Sequence, residues 1–226
     1  MYILSGNTAT SDASTALWLD GKVIGEINLS LDLTHSETFF PTLEQLLSLT
    51  RVKLSDIDAF ACVIGPGSFT GIRIGVAGMK MIASALKKPV MPVDSLTAIA
   101  VNYAPYFRDE ILATALNARN GRIFAAAYLS GQRITEPVAV DASAWLNDLS
   151  RKNGTKKINL LIDNAWPELL ASLPDNVQVA NFAATIHAGA VAEIAASMLK
   201  QGEKGDPNQL LPLYLVPSQA ERLANV

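Results

Sequence analysis

Apolar and polar positions divide the chain into two sets of elements. A short apolar run, Tyr2 to Leu4, is followed by the turn-rich SGNTATSD. Ala16 to Leu19 and Val23 to Leu29 are strand-like runs on either side of Asp20-Gly21, a hairpin turn pair. THSETFFPTLEQLLSLT then has helical spacing at Phe39, Phe40, Leu43, Leu46 and Leu47. Two starts fit this helix. Thr34 and Glu37 would form a capping box, but Pro41 then falls inside the helix; Thr38 as N-cap puts Pro41 in the first turn, where proline is tolerated. DAFACVI is a further β-type run, and Gly71 to Leu86 is a helix ending at Lys87-Lys88-Pro89. PVMPVDSLTAIAVNYA is a strand followed by a helix capped by Asp94 or Ser95. The first hundred residues are read as βββαβα.

The second set begins near Glu110. ILATALNAR and RIFAAAYLSG are paired strands around Asn120-Gly121, and RITEPVAV is a candidate third. KKINLLID is strand-like and AATIHAGAVAEIAASMLK helical. This half echoes the first loosely, so the expected fold is α/β with a duplicated βββαβα unit, the second copy reduced. The expected division is 1–103, 104–206 and a tail, 207–226, that packs back on the first lobe.

Composition narrows the function classes. Half the residues are hydrophobic, ample for a buried core, while 17% are charged, where about 25% is typical. Such a chain buries much of itself or covers part of its surface with a partner. A net charge of −3 lacks the basic excess of a stand-alone nucleic-acid binder. Cys62 is the sole cysteine, which excludes an internal disulfide and suits a reducing compartment. Met1 to Gly6 lacks the features of a signal peptide, and no uncharged apolar run is long enough for a membrane span; a soluble cytoplasmic protein is expected.

The candidate chemistry centres on VIGPGSFTGIRIG, residues 63–75. A strand, a glycine loop and a helix start place backbone N–H groups where a phosphate would sit. A Walker loop, however, needs Gly-Lys-Ser/Thr where Gly71-Ile72-Arg73 stands, and a dinucleotide loop needs glycine at Thr70. A nucleophile elbow at Ser68 needs glycines at Pro66 and Thr70, and the only histidines are His35 and His187. The leading reading is structural: Gly65 and Gly67 turn the chain, Pro66 stiffens it, and Ser68 or Thr70 caps the helix.

The helix behind the loop carries too much apolar surface for one contact. Arg73, Ala77, Lys80 and Ser84 share a strip about 60° wide, and nearly everything else is apolar or glycine. Gly71, Gly75 and Gly78 would let another backbone approach closely. The Thr38–Leu49 helix has a broad apolar arc too. Either both helices are deeply buried core, or they form a surface awaiting a partner; the second is favoured because a half this small offers nothing to cover them.

GPGSFTGIRIGVAGMK, residues 65–80, is very similar to the signature of the TsaB (YeaZ) family in the actin-like ATPase superfamily. HSETFFPTLEQLL, PVMPVDSLTAIA, NARNGRIFAAAY and PLYLVP also resemble family segments, the last with Val216 in place of an arginine. The resemblance implies two RNase H-like lobes and a role in making N6-threonylcarbamoyladenosine (t6A) at position 37 of tRNA. It implies a non-catalytic subunit that binds and activates a TsaD-type catalytic paralogue, which holds the metal, while a TsaE-type ATPase docks on the pair. It implies a homodimer when alone, contact with tRNA only through the complex, and no cofactor bound by this chain alone. The implied partner interface comprises Phe39, Phe40, Leu43, Leu47, Ile72, Arg73, Val76, Met79 and Lys80, beside the motif loop Gly65, Pro66, Gly67, Ser68, Phe69, Thr70 and Gly71. Charged substitutions at Ile72, Val76 or Phe39 are then expected to break the complex without unfolding the chain.

One departure bears on chemistry. The family usually has Ile-Asp-Thr-Ser after its first strand; here LSGNT puts Gly6 or Asn7 at the acid's place. In the superfamily that acid organises metal and phosphates, so autonomous ATP hydrolysis is not expected. His35 and His187 lack the i, i+4 spacing of a helical metal pair. The alternative reading is an autonomous actin-like ATPase or a glycoprotease-like peptidase. Arg151, Lys152, Lys156 and Lys157 are read as a solvated loop before a tRNA contact, and Trp166 as a packing residue.

Overall fold

A computed structural model describes residues 1–30, 35–119, 121–163 and 173–216. The chain divides into two compact units. The first comprises Met1–Ala98 and Ile186–Tyr214, and the second is built on Ile99–Thr185.

The first unit carries β1 (Tyr2–Asn7), β2 (Ala13–Leu19), β3 (Lys22–Leu29), α1 (His35–Thr50), β4 (Ala59–Gly65), α2 (Phe69–Leu86) and β5 (Val90–Asp94). The helix α3 (Ser95–Tyr103) follows. Element by element this is the order read from the sequence, one strand–helix pair longer than the shorthand βββαβα. The sheet order is β3-β2-β1-β4-β5. β1 pairs antiparallel with β2 and parallel with β4. Asp20 and Gly21 form the hairpin turn with φ of 44° and 97°, the left-handed values a two-residue turn requires.

Of the two helix starts left open, the later one is excluded. Helix α1 begins at His35, so Pro41 lies inside it rather than in its first turn. Proline removes one i→i−4 bond there. Phe39, wholly buried, anchors the preceding turn to the sheet, so packing outweighs the lost bond. Thr34, the other proposed cap, lies outside the described residues.

A second correction concerns α5 (Ala188–Lys200), which follows α4 (Ala142–Asn153) and the stretch outside the described residues. The expected boundary put this helix in the second lobe. It packs instead on β1, β2, β4 and β5 of the first sheet. Small residues on its inner face, among them Ala188, Ala192 and Ala195, let it lie close. The Ser5 hydroxyl donates to the Ala188 carbonyl at 2.6 Å, and Ser14 donates to the Ile186 carbonyl at 2.9 Å. Adjacent residues of a strand face opposite ways. Ser5 meets α5 whereas Gly6 lies under Phe39 of α1, so the sheet is covered on both faces. Of the tail, Pro207–Tyr214 lies in this unit.

The second unit repeats the strand plan with β6 (Ile111–Asn117), β7 (Arg122–Leu129), β8 (Gln132–Arg133), β9 (Val138–Asp141), β10 (Ile158–Ile162) and β11 (Val177–Ala183). Its sheet runs β11-β10-β6-β7-β8, with β9 also on β7. The run RITEPVAV makes two short strands rather than one, because Pro137 offers no N–H for a continuous ladder. Leu146 and Leu149 of α4 pack on Ile111, Ile123, Ile158 and Leu160. The fold class is α/β, with a mixed sheet and helices packed on it in each unit.

Three of the four cations in the basic run at 151–157 are paired. Arg151 and Lys152 each reach Asp148 at 2.7 Å, and Lys157 reaches Glu110 at 3.3 Å. This is a solvated face with its own counter-charges. Trp166 lies outside the described residues.

Candidate partner-binding face

The motif loop is closed by the chain itself. Gly65 ends β4 with φ 116°, and a side chain there would meet the Leu213 carbonyl. Ser68 is the N-cap of α2, its hydroxyl accepting from the Gly71 N–H at 3.2 Å. The Ser68 N–H donates to the Ala9 carbonyl at 2.7 Å. Donors that a phosphate would need at Ser68 and Gly71 are therefore already used, and Ala9 fills the space beside Gly67. The loop is a corner that launches α2.

Asn7 closes β1, fully buried. Its Nδ2 donates to Thr10 Oγ1 at 3.1 Å and to the Asp12 carbonyl at 3.2 Å. Its Oδ1 accepts from the Ala9 N–H at 2.9 Å. Every polar atom of this amide is spent on holding its own turn. The site does not fit a metal or phosphate group: an inward-bonded amide stands where the acid would be, and the nearby Asp12 carboxylate is taken by the Ser30 hydroxyl. Among the described residues no cluster of three His, Cys, Asp or Glu side chains is placed to hold a metal ion. His35 bonds the Thr10 carbonyl at 2.7 Å, and His187 stands at the N-cap position of α5 without a side-chain capping bond. Burial pushes the Cys62 thiol up to about 12, so it is no nucleophile at neutral pH.

The two helices have well-separated inner and outer arcs. Phe39, Leu43, Ile72, Val76 and Met79, assigned to the partner interface from the sequence, are buried inside the unit. They are core, and a charge at any of them would unfold the chain rather than only part a complex. The glycines are likewise used internally. Gly71 and Gly75 admit Thr8, and Gly78 admits the rings of Phe39 and Phe40.

What remains outside is narrower. Phe40 is 40% exposed and Met81 60%, and Leu47 and Ile74 are half-buried. At 100° per residue, Ala77, Met81, Ile74 and Ala85 form a contiguous outer stripe on α2. Phe40 lies against Gly78 on the same side of that helix. Arg73 and Lys80 border the stripe on its polar side. The periodicity located both helices; Met81 and Ile74 were missed because a wheel alone does not show which apolar arc meets the sheet. By length and composition α2 is apolar enough to cross a membrane. Its two cations and its buried inner arc are the pattern of a core helix with one exposed side.

The C-terminal segment straps the polar border. The Val90 N–H donates to the Gly205 carbonyl at 2.7 Å, Lys80 Nζ to the Asn208 carbonyl at 3.3 Å, and the Leu213 N–H to the Ile64 carbonyl at 2.7 Å. Arg73 Nε donates to the Tyr214 hydroxyl at 3.0 Å. Tyr214 stacks on Phe69 at 4.7 Å, and the Arg73 guanidinium lies 4.2 Å from the Phe69 ring centre.

A family model described as TsaD, tRNA N6-adenosine threonylcarbamoyltransferase, matches residues 24–215. The tRNA threonylcarbamoyladenosine biosynthesis protein TsaB of Escherichia coli is 35% identical over 129 residues, covering 57% of this chain and 55% of that protein. The protein of the same name from Bacillus subtilis is 28% identical over 227 residues, covering 98% and 96%. The match thus spans about half the length of the first relative and nearly all of the second. Among solved structures, YeaZ from Pseudomonas aeruginosa superposes with a TM-score of 0.79 at 25% identity, covering 95% of this chain and 99% of that one. The chain belongs to the tRNA N6-adenosine threonylcarbamoyltransferase family, as a TsaB (YeaZ)-type member of it.

Proposed function

We propose that this chain is the non-catalytic partner subunit of a t6A-synthesising assembly, docking through the outer faces of α1 and α2 on a TsaD-type catalytic paralogue and activating it. The observation that carries this reading is the exposed apolar stripe of Met81, Ala77 and Ile74 beside Phe40, on helices whose inner faces are already spent on the sheet. Exposed contiguous apolar surface is what a partner covers. The inward-bonded Asn7 supports the absence of chemistry in this chain alone. Family membership supports a role in t6A biosynthesis.

On this reading the assembly works in the cytoplasm. ATP and a metal belong to the paralogue, a TsaE-type ATPase joins the pair, and tRNA is met only through the complex. The lone chain covers the same stripe by pairing with a second copy. The test is an omit-one reconstitution with adenylate synthase, paralogue, ATPase, ATP, threonine, bicarbonate and tRNA. Modified nucleoside should form only when this chain is present, with no ATP or peptide hydrolysis by the chain alone. Equal modification without it would overturn the reading, and turnover by the lone chain would favour an autonomous enzyme.

A further inference from the structure

Arg73 is held by two residues of its own unit. Its Nε is taken by the Tyr214 hydroxyl at 3.0 Å, and the face of its guanidinium lies over Phe69 at 4.2 Å. Tyr214 in turn is held by its stack on Phe69 and by the adjoining Leu213–Ile64 main-chain bond. Arg73 is nevertheless exposed, and no carboxylate lies within ion-pair distance of it among the described residues. Its Nη donors carry no hydrogen bond there. It stands one turn from Ala77 on the border of the apolar stripe.

A partner that covers this stripe closes over the border too. Covering a guanidinium without a counter-charge is costly, because its hydration is lost and nothing replaces it. Two free Nη groups in a planar fork match a carboxylate in two-point contact. A side chain already immobilised loses little further entropy on binding.

We propose that Tyr214 is a positioning residue of the docking face: through the C-terminal strap it presents Arg73 to a carboxylate of the catalytic paralogue. This rests on the docking reading above. The strap therefore does more than cover α2; it supplies the orientation of the charge that sets partner choice. The chemistry required of the partner is an acidic side chain at the edge of an apolar helical surface.

The test is a double-mutant cycle on the full-length chain, reading association and dissociation with the purified paralogue at low and high salt. Tyr214→Phe keeps the ring stack and removes only the hydroxyl. It should weaken binding about two- to fivefold through faster dissociation, with the melting temperature unchanged and the salt dependence of association kept, since only loss of the charge flattens that dependence. Arg73→Gln should do at least as much, and the double variant should be no weaker than Arg73→Gln. Arg73→Lys, which keeps the charge and loses the fork, should behave like Tyr214→Phe. Additive effects of the two changes, or a silent Tyr214→Phe, would overturn the inference. Met81→Glu separates this from the docking reading. If it abolishes binding while Tyr214→Phe is silent, only the positioning role falls; if wild type and Met81→Glu bind alike, or wild type does not bind, the docking face falls and this role with it. Should only self-association respond to Tyr214→Phe, the carboxylate comes from a second copy and the assignment to the paralogue is overturned.

Discussion

Thr8 Oγ1 donates to the carbonyl of Gly71 at 2.7 Å, tying the turn after the first strand to the first turn of α2. The contact needs glycine on the helix side. A Cβ at Gly71 would overlap the Thr8 carbonyl, and one at Gly75 would meet the Thr8 hydroxyl. Gly71→Ala and Gly75→Ala should therefore each destabilise the chain by about 1–3 kcal/mol through overpacking, despite alanine's better helix propensity. Denaturant midpoints check this. The Gly71 change should be the worse, since a backbone atom yields less than a side chain.

Inner and outer positions of the two helices should part cleanly under substitution. Phe39→Ala should cost about 3–5 kcal/mol, because its ring fills the space between Gly6 and Gly78. Met81→Glu should stay within about 0.5 kcal/mol of wild type, being on the surface. Thermal melts followed by circular dichroism distinguish the two, and co-purification with the paralogue shows that only Met81→Glu loses binding while folded.

Restoring the acid at the end of β1 should harm the fold without giving chemistry. In Asn7→Asp the donors to Thr10 and to the Asp12 carbonyl are lost, and a buried carboxylate faces that carbonyl oxygen instead. A loss of about 1–3 kcal/mol follows from unsatisfied buried polar atoms. Calorimetry should show that loss and no heat of ATP binding. A gain of nucleotide affinity in this variant would contradict the structural role given to Asn7.

The N-terminus of α5 should carry a pH-dependent share of stability. His187 Nδ1 lies 3.7 Å from Glu26 Oε1, an ion-pair rather than a hydrogen-bond distance, and Glu26 also accepts from the Gly189 N–H at 3.2 Å. Pairing with Glu26 raises His187 above its ordinary 6.5 despite partial burial. For Glu26, burial raises the carboxyl, but His187 and the Gly189 N–H outweigh it and hold it below 4.5. The histidine's share is fully present below about pH 6.5 and is lost as pH rises through its elevated folded value. The carboxylate's share is present above about pH 4.5 and is lost as pH falls through its depressed one. The stability gap between wild type and His187→Gln should peak between those values and close as pH rises through the histidine's elevated folded value. A gap that does not vary between pH 5 and pH 8 would remove the pair from this account.

Much of this protein was legible without coordinates. Asp20-Gly21 required a hairpin because its dihedrals suit little else, and Ser68 and Thr70 marked the region of a helix start, of which the structure uses Ser68. The apolar excess of α2 signalled more than one buried contact. These are local properties of dihedrals, caps and periodicity, carried by a few adjacent residues. Tertiary structure alone decided which apolar arc of α2 meets the sheet, that the close approach at Gly71 and Gly75 serves Thr8, and that α5 returns to the first unit. It also decided that Arg73 is clamped by Tyr214, 141 residues away along the chain. Those outcomes depend on which distant surfaces bury each other best, and burial is non-directional, so no residue pattern within one helix specifies them.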